Sequence, residues 1–168
     1  MIANNLNEAK AQVDAWKIAG EKVVFTNGCF DILHRGHVEY LADAKFLGSN
    51  LVLALNSDSS VRELKGAHRP IQTQDDRAAI LDALESIDLV VVFDEDTPAK
   101  IIHSLLPDVL VKWSDYSTKT IESSDTSIEN GENLKVVPVR PCLVYESYTA
   151  DAPQTANDDE HVFRKDAL

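Results

Sequence analysis

An α/β fold, with a mainly parallel sheet covered by helices on both faces, is what this sequence predicts, and three observations predict it. Short apolar runs ("KVVFTNG", "NLVLALNSD", "DLVVVF", "DVLVK" and "LKVVPV") alternate with longer segments whose apolar residues recur at helical spacing. That is the pattern of strands joined by right-handed crossovers. The runs are apolar at successive positions, as parallel strands covered on both faces require. With 168 residues, 44% hydrophobic and 26% charged, the chain has the size and composition of one domain with a single core.

Each element has its own signal. From Leu6 to Ala19, the residues Leu6, Ala9, Val13 and Trp16 mark one face of a helix, and Gly20 follows as its stop. "KVVFTNG" is a buried strand that closes on Asn-Gly and runs into a turn. "GHVEYLADAKFLG" predicts a helix with Val38, Leu41, Ala44 and Phe46 inward and Gly48 as the stop. "NLVLALNSD" is the next strand. In "TQDDRAAILDALES", Thr73 reads as an N-cap with Asp76 three residues on, close to a capping box. "DLVVVF" is a strand, and "DTPAKIIHSLL" is a helix with Pro98 near its first position. "DVLVK" and "LKVVPV" complete a Rossmann-like doubly wound sheet of about five strands. Residues 114–133 are polar and rich in Ser and Thr, a loop in this reading, and the residues after Pro141 show no period. The expected organisation is an N-terminal helix over 1–20, a central domain over 21–140 and a divergent tail over 141–168.

The formal net charge is −12. A fold-wide acidic field repels nucleic acid and anionic membranes, so neither is an expected partner. No stretch has the apolar length to cross a bilayer, and "MIANNLNEAKAQVDAWK" lacks the basic start and apolar centre of a secretory signal. Cys29 and Cys142 are the only cysteines. They show no metal-ligand spacing, which makes a reduced cytoplasmic setting the expectation. His68, His103 and His161 read as ordinary surface or core histidines.

One stretch differs in kind: "TNGCFDILHRGH", Thr26 to His37. Ligands of a doubly wound sheet bind beyond the carboxyl ends of its strands, and this stretch leads from the end of the first strand into the next helix. Helix starts favour phosphate through unpaired N–H groups and a partial positive charge. His34 and His37, three apart, face the same way there, and Gly36 removes a side chain where phosphate must come close. The set suits a polyphosphate whose charge grows during reaction. Zinc would need third and fourth ligands at suitable spacing, which are not apparent. Cys29, in a turn without an evident base, reads as packing.

"GCFDILHRGH", a Gly-x-Phe-Asp followed by His-x-Gly-His, resembles the nucleotidylyltransferase superfamily. With "LVLALNSDSSVRELKGAHRPI", "QDDRAAILDALESIDLVVVFDEDTP" and "IIHSLLPDVLVK" it is similar to the adenylyltransferase domain of ADP-heptose synthases, from Val23 to about Lys112. The resemblance implies transfer of AMP from ATP to a sugar 1-phosphate, a heptose 1-phosphate above all, with release of pyrophosphate, for ADP-heptose and envelope polysaccharide. It makes His34, His37 and Lys65 the catalytic set. It places Thr26, Asn27, Gly28, Phe30, Gly36, Asn56, Asp58, Arg77 and Lys112 about the nucleotide, and Arg69 on the substrate phosphate. Mg2+ is the expected cofactor, held through the triphosphate with most of its waters, so no protein metal ligand is named. Expected partners are ATP or CTP, a phosphorylated sugar and a separate sugar kinase acting upstream; a homodimer is allowed.

The chain departs from that pattern twice. It reads "KWSDY" where the heptose enzymes usually have Lys-Gly-Gly-Asp-Tyr, which puts Trp113 at the expected rim of the pocket. It reads "RPCLVYESYTADAP" where the family has Gly-x-Ser-Thr-Thr, leaving Arg140 as a further cation. Two other readings follow from these departures: a cytidylyltransferase for a polyol or alcohol phosphate, and a nucleotide-binding homologue without turnover.

Overall fold

A computed structural model of the chain describes residues 1–113 and 135–139. In chain order they form β1 (Ile2–Ala3), α1 (Leu6–Ile18), β2 (Val23–Gly28), α2 (Arg35–Lys45), β3 (Asn50–Asn56), α3 (Asp58–Lys65), α4 (Gln74–Asp82), β4 (Leu89–Phe93), α5 (Ala99–Leu105), β5 (Val109–Trp113) and β6 (Lys135–Val139). The strands join in one sheet ordered β1-β4-β3-β2-β5-β6, parallel throughout. The α/β expectation is borne out. The expected loop, the tail, Arg140 and the side chain of Trp113 lie outside the described residues.

Successive residues of β2 enter opposite cores. Val23 and Phe25 pack with Ala9 and Val13 of α1 and with Ile101, Ile102 and Leu105 of α5. Val24 packs with Leu41 and Ala44 of α2 and with Ala78 and Leu81 of α4. Burial on both faces is why the strands read as unbroken apolar runs. The N-cap at Thr73 is also present: its hydroxyl accepts from Asp76 N–H at 3.2 Å and donates to the Asp76 carboxylate at 2.8 Å.

Three features differ from the sequence reading. β1 adds a sixth strand, with Ile2 opposite Val90; two residues are too few to display a period. α3 is mostly polar and lacks an apolar stripe, yet its ends carry ordinary signals. Ser57 caps it by accepting from Ser60 N–H, and Gly66 closes it at φ 95°. The inward face of α2 is also rotated from the expected one. Leu41 and Ala44 are buried as expected, but Val38 is 41% and Phe46 88% exposed, while Tyr40 is only 5% exposed. Phe46 sits at the C-cap, beyond the last turn, and the buried face runs through Gly36, Tyr40, Leu41 and Ala44 at i, i+4, i+5 and i+8.

The ladders on the two sides of β2 end at different heights. Pairing with β3 runs from Val23 opposite Asn50 to Gly28 opposite Leu55. Pairing with β5 joins Val24 to Val109 and Phe25 to Leu110, so Thr26 and Asn27 are unpaired with Val111 and Lys112 across the gap. Chain order reverses here, β3 and β4 lying to one side of β2 and β5 and β6 to the other. This is the switch point at which such sheets open a crevice. No helix among the described residues is long and apolar enough to cross a membrane.

Candidate active site at the carboxyl ends of β2 and β5

His34 is the N-cap of α2, and its Nδ1 accepts the Gly36 N–H at 3.1 Å. A neutral imidazole that accepts at Nδ1 carries its proton on Nε2, so the ring presents an N–H donor. The Gly36 amide is thus occupied, and the imidazole extends the positive end of the helix. The rings of His34 and His37 lie 3.9 Å apart at 31°, and Phe30 supports His37 at 5.2 Å. Phe30 holds φ 46°, a left-handed conformation costing a non-glycine residue about 1–3 kcal/mol. Its ring lies over Gly28, where an added Cβ would approach Phe30 Cε2 to 2.9 Å. The glycine therefore makes room for the phenyl ring that backs the histidines, and Phe30, 8% exposed, is a wedge in the protein.

Asp31 fastens this loop to the one between α3 and α4. Its carboxylate accepts from Ile71 N–H at 2.7 Å, Gln72 N–H at 3.1 Å and the Arg69 guanidinium at 2.6 Å. Burial pushes its pKa up, but the hydrogen bonds from Gln72, Arg69 and Ile71 outweigh it and hold the group below the usual carboxylate range. Arg69 is brought to the histidine loop by this pair, and Lys65 ends α3 just before the Gly66 turn. The role of Asp31, quoted only as part of a motif above, is one that sequence reasoning missed.

Arg77 does not stand where the sequence reading put it. Its guanidinium is fully buried and donates to Gln72 O at 3.1 Å, Cys29 O at 2.6 Å, Asn56 O at 2.9 Å and Asp58 Oδ1 at 2.7 Å. It holds the ends of β2 and β3 together from within the protein rather than reaching for phosphate. Asn56 is buried too, and its amide donates to Ser60 Oγ at 2.9 Å. Thr26 points away from the crevice, its hydroxyl 2.6 Å from that of Tyr40. Asn27 and Lys112 remain at the edge, where the ammonium donates to Asn27 Oδ1. The structure therefore gathers His34, His37, Gly28, Phe30, Gly36, Asn27, Lys112 and, through Asp31, Arg69. It turns Thr26, Asn56 and Arg77 inward. A separate hollow of about 250 Å³ lies at the ends of β1 and β4, lined by Asn5, Phe93, Asp94, Glu95 and Lys100 among others. It contains none of these residues.

Residues 25–159 match the family model described as cytidylyltransferase-like. The chain belongs to the cytidylyltransferase-like family. Among relatives of known name, the bifunctional protein HldE of Wolinella succinogenes is 58% identical over 110 residues, 66% of this chain and 23% of that protein. HldE of Campylobacter concisus is 61% identical over 105 residues, 62% of this chain and 22% of that protein. The chain thus spans about a quarter of the length of these relatives. Among solved structures, a lipopolysaccharide core biosynthesis protein from Thermoplasma volcanium superposes with a TM-score of 0.63 at 29% identity, covering 73% of this chain and 98% of that one. Pantothenate synthetase from Thermus thermophilus, at 16% identity and TM-score 0.58 over 83% of this chain and 61% of that one, shares the fold. Membership of the family bears out the reading of the chain as nucleotidyltransferase-like.

Two predictions follow from the geometry. Replacing Arg77 with Met leaves three carbonyls and the Asp58 carboxylate without their buried donor, and should destabilise the fold by about 3–5 kcal/mol in urea unfolding; a residue serving only phosphate would leave stability unchanged. Burial lowers the pKa of Lys112 from 10.5 to about 8. Below pH 8 both folded and unfolded chains hold the proton and the burial penalty is complete. Between 8 and 10.5 only the unfolded chain holds it, so stability rises with pH. Wild type should therefore gain stability relative to Lys112→Met across that window, measured by urea unfolding at stepped pH. A constant difference would contradict the burial of this ammonium.

Proposed function

We propose that this chain transfers AMP from ATP to a sugar 1-phosphate, with heptose 1-phosphate the leading substrate, and releases pyrophosphate. The observation that carries the proposal is the imidazole pair at the start of α2, with His34 Nδ1 accepting the Gly36 N–H so that the ring's proton sits on Nε2. The sugar class is supported by the names of relatives, HldE and a lipopolysaccharide core biosynthesis protein.

In this reading an oxygen of the sugar phosphate attacks the α-phosphorus of ATP. The new P–O bond forms as the bond to the bridging oxygen breaks, and pyrophosphate leaves with the electron pair. The protein's part is positioning and charge stabilisation. Donors fixed before the reaction are worth most where charge develops, and His34, a cap held by its own helix, is such a donor. His37 is fixed by the rings on either side of it. Arg69, oriented by Asp31, and Lys65, at the end of α3, supply positive charge from the facing loop. Magnesium would be held through the triphosphate and would keep most of its waters, so the reading asks for no protein cage. When bound, the ion neutralises phosphate charge. The sugar must already carry its 1-phosphate, so a kinase reaction precedes this one.

A pyrophosphate-release screen of ATP, CTP and GTP against sugar and polyol phosphates tests the assignment. Release that requires ATP and a sugar 1-phosphate is the expected result. Release with CTP and a polyol phosphate would replace it with the cytidylyltransferase reading, and release with no pair would favour a homologue that binds without turnover. With the active pair in hand, His34→Ala and His37→Ala should each lower kcat about 100- to 1000-fold, with little change in nucleotide KM. Near-normal turnover in either folded variant would remove that histidine from the mechanism.

A further inference from the structure

Tyr40 follows His37 by three residues on α2, and its ring is buried among Val24, Leu41, Leu53 and Val111. Its hydroxyl is bound at both sides of the open switch point. It donates to the carbonyl of Val111 on β5 at 3.3 Å and shares a hydrogen bond with the Thr26 hydroxyl of β2, 2.6 Å away. One side chain thus ties the helix that carries both histidines to the two strands that border the crevice. It does so just above Phe25 and Leu110, where their ladder ends. Lys112 and Asn27 make a second link, from residues whose neighbours Val111 and Thr26 serve Tyr40.

We infer that Tyr40 is a positioning residue, whose hydroxyl sets the height and rotation of α2 so that His34 and His37 face the phosphate site. The inference rests on the nucleotidyltransferase reading above. A phenol oxygen costs free energy to bury unless it is hydrogen-bonded, and an apolar side chain of similar shape would fill the same space without that demand. What the hydroxyl adds is direction: buried hydrogen bonds select one arrangement among several that pack equally well. Burial pushes its pKa up to about 12, the bond with Thr26 offsetting part of that rise, so the group stays neutral and keeps its donor. Phe30, His37 and His34 touch in sequence, so a shift of α2 moves the imidazoles together. A misplacement on the order of 1 Å at reacting groups costs up to about 100-fold in rate.

The test uses Tyr40→Phe, Thr26→Val, the double variant and Thr26→Ser. It reads kcat, nucleotide KM, and the imidazole nitrogen NMR signals of His34 and His37. Either single substitution should lower kcat about ten- to a hundredfold, leave nucleotide KM unchanged and move both imidazole signals. The double variant should be no slower than the slower single one, because the bond lost in Thr26→Val is already lost in Tyr40→Phe, and Thr26→Ser should restore wild-type behaviour. If Tyr40→Phe does not fold, Thr26→Val and Thr26→Ser carry the same comparison. Unmoved imidazole signals, a multiplicative loss in the double variant, or a Thr26→Val defect confined to nucleotide KM would each overturn the inference. The imidazole signals are read without substrate. A chain that transferred no nucleotide would overturn the functional reading and leave the positioning role to be decided by those signals.

Discussion

The parting of β2 and β5 beyond Phe25 and Leu110 is the constraint on which the rest of the site depends. A parallel ladder satisfies backbone donors and acceptors on both strands, and a strand pair that opens must find them partners elsewhere. Where the ladder stops, the Tyr40 hydroxyl meets the Val111 carbonyl, and the side chains of Lys112 and Asn27 span the gap between the strands. On the other side of β2 the ladder continues to Gly28, and the Arg77 guanidinium closes its end by joining Cys29 and Asn56. One flank is fastened and the other is held ajar. The histidine loop leaves β2 between them.

The electrostatics operate at two ranges. Over the whole chain the charge is −12, a field that disfavours polyanions at a distance and is screened within about 8–10 Å at ordinary salt. At the edge itself the local terms are positive: the start of α2, the His34 N–H, Lys112, and Arg69 held by a carboxylate that stays ionised. A small phosphorylated ligand reaches groups a few ångströms away and senses the near field; an extended polyanion would also meet the far one.

Much of this was legible in the sequence, for identifiable reasons. Strands buried on both faces announce themselves as continuous apolar runs, and Thr73 with Asp76 marks a helix start whatever surrounds it. The histidine pair stood out because its residue types serve chemistry better than packing. What was lost was direction. Thr26 and Asn27 are neighbours in a strand, so their side chains leave on opposite faces. One supports α2 and the other meets Lys112. Arg77 looked like a phosphate ligand because a cation in the first turn of a helix usually faces water, yet its burial follows from three carbonyls that only the fold assembles. Tyr40 was passed over because its polar tip hides how well its ring packs. The short β1 and the polar α3 fell below what periodicity can resolve.

His34 begins α2, and in the proposed mechanism this places folding and turnover in competition at one position. Serine, aspartate and asparagine are the residues with which helices most readily begin. Any of them at position 34 could take the Gly36 amide from the imidazole and leave the helix as firmly started as before. Screens that reward thermal endurance or yield would therefore tolerate the loss of this imidazole, and only a screen for product would retain it. Under the proposed mechanism, a homologue with a sound fold and a small polar residue at this site would have kept its helix start and lost its imidazole donor, and its stability would give no hint of the difference.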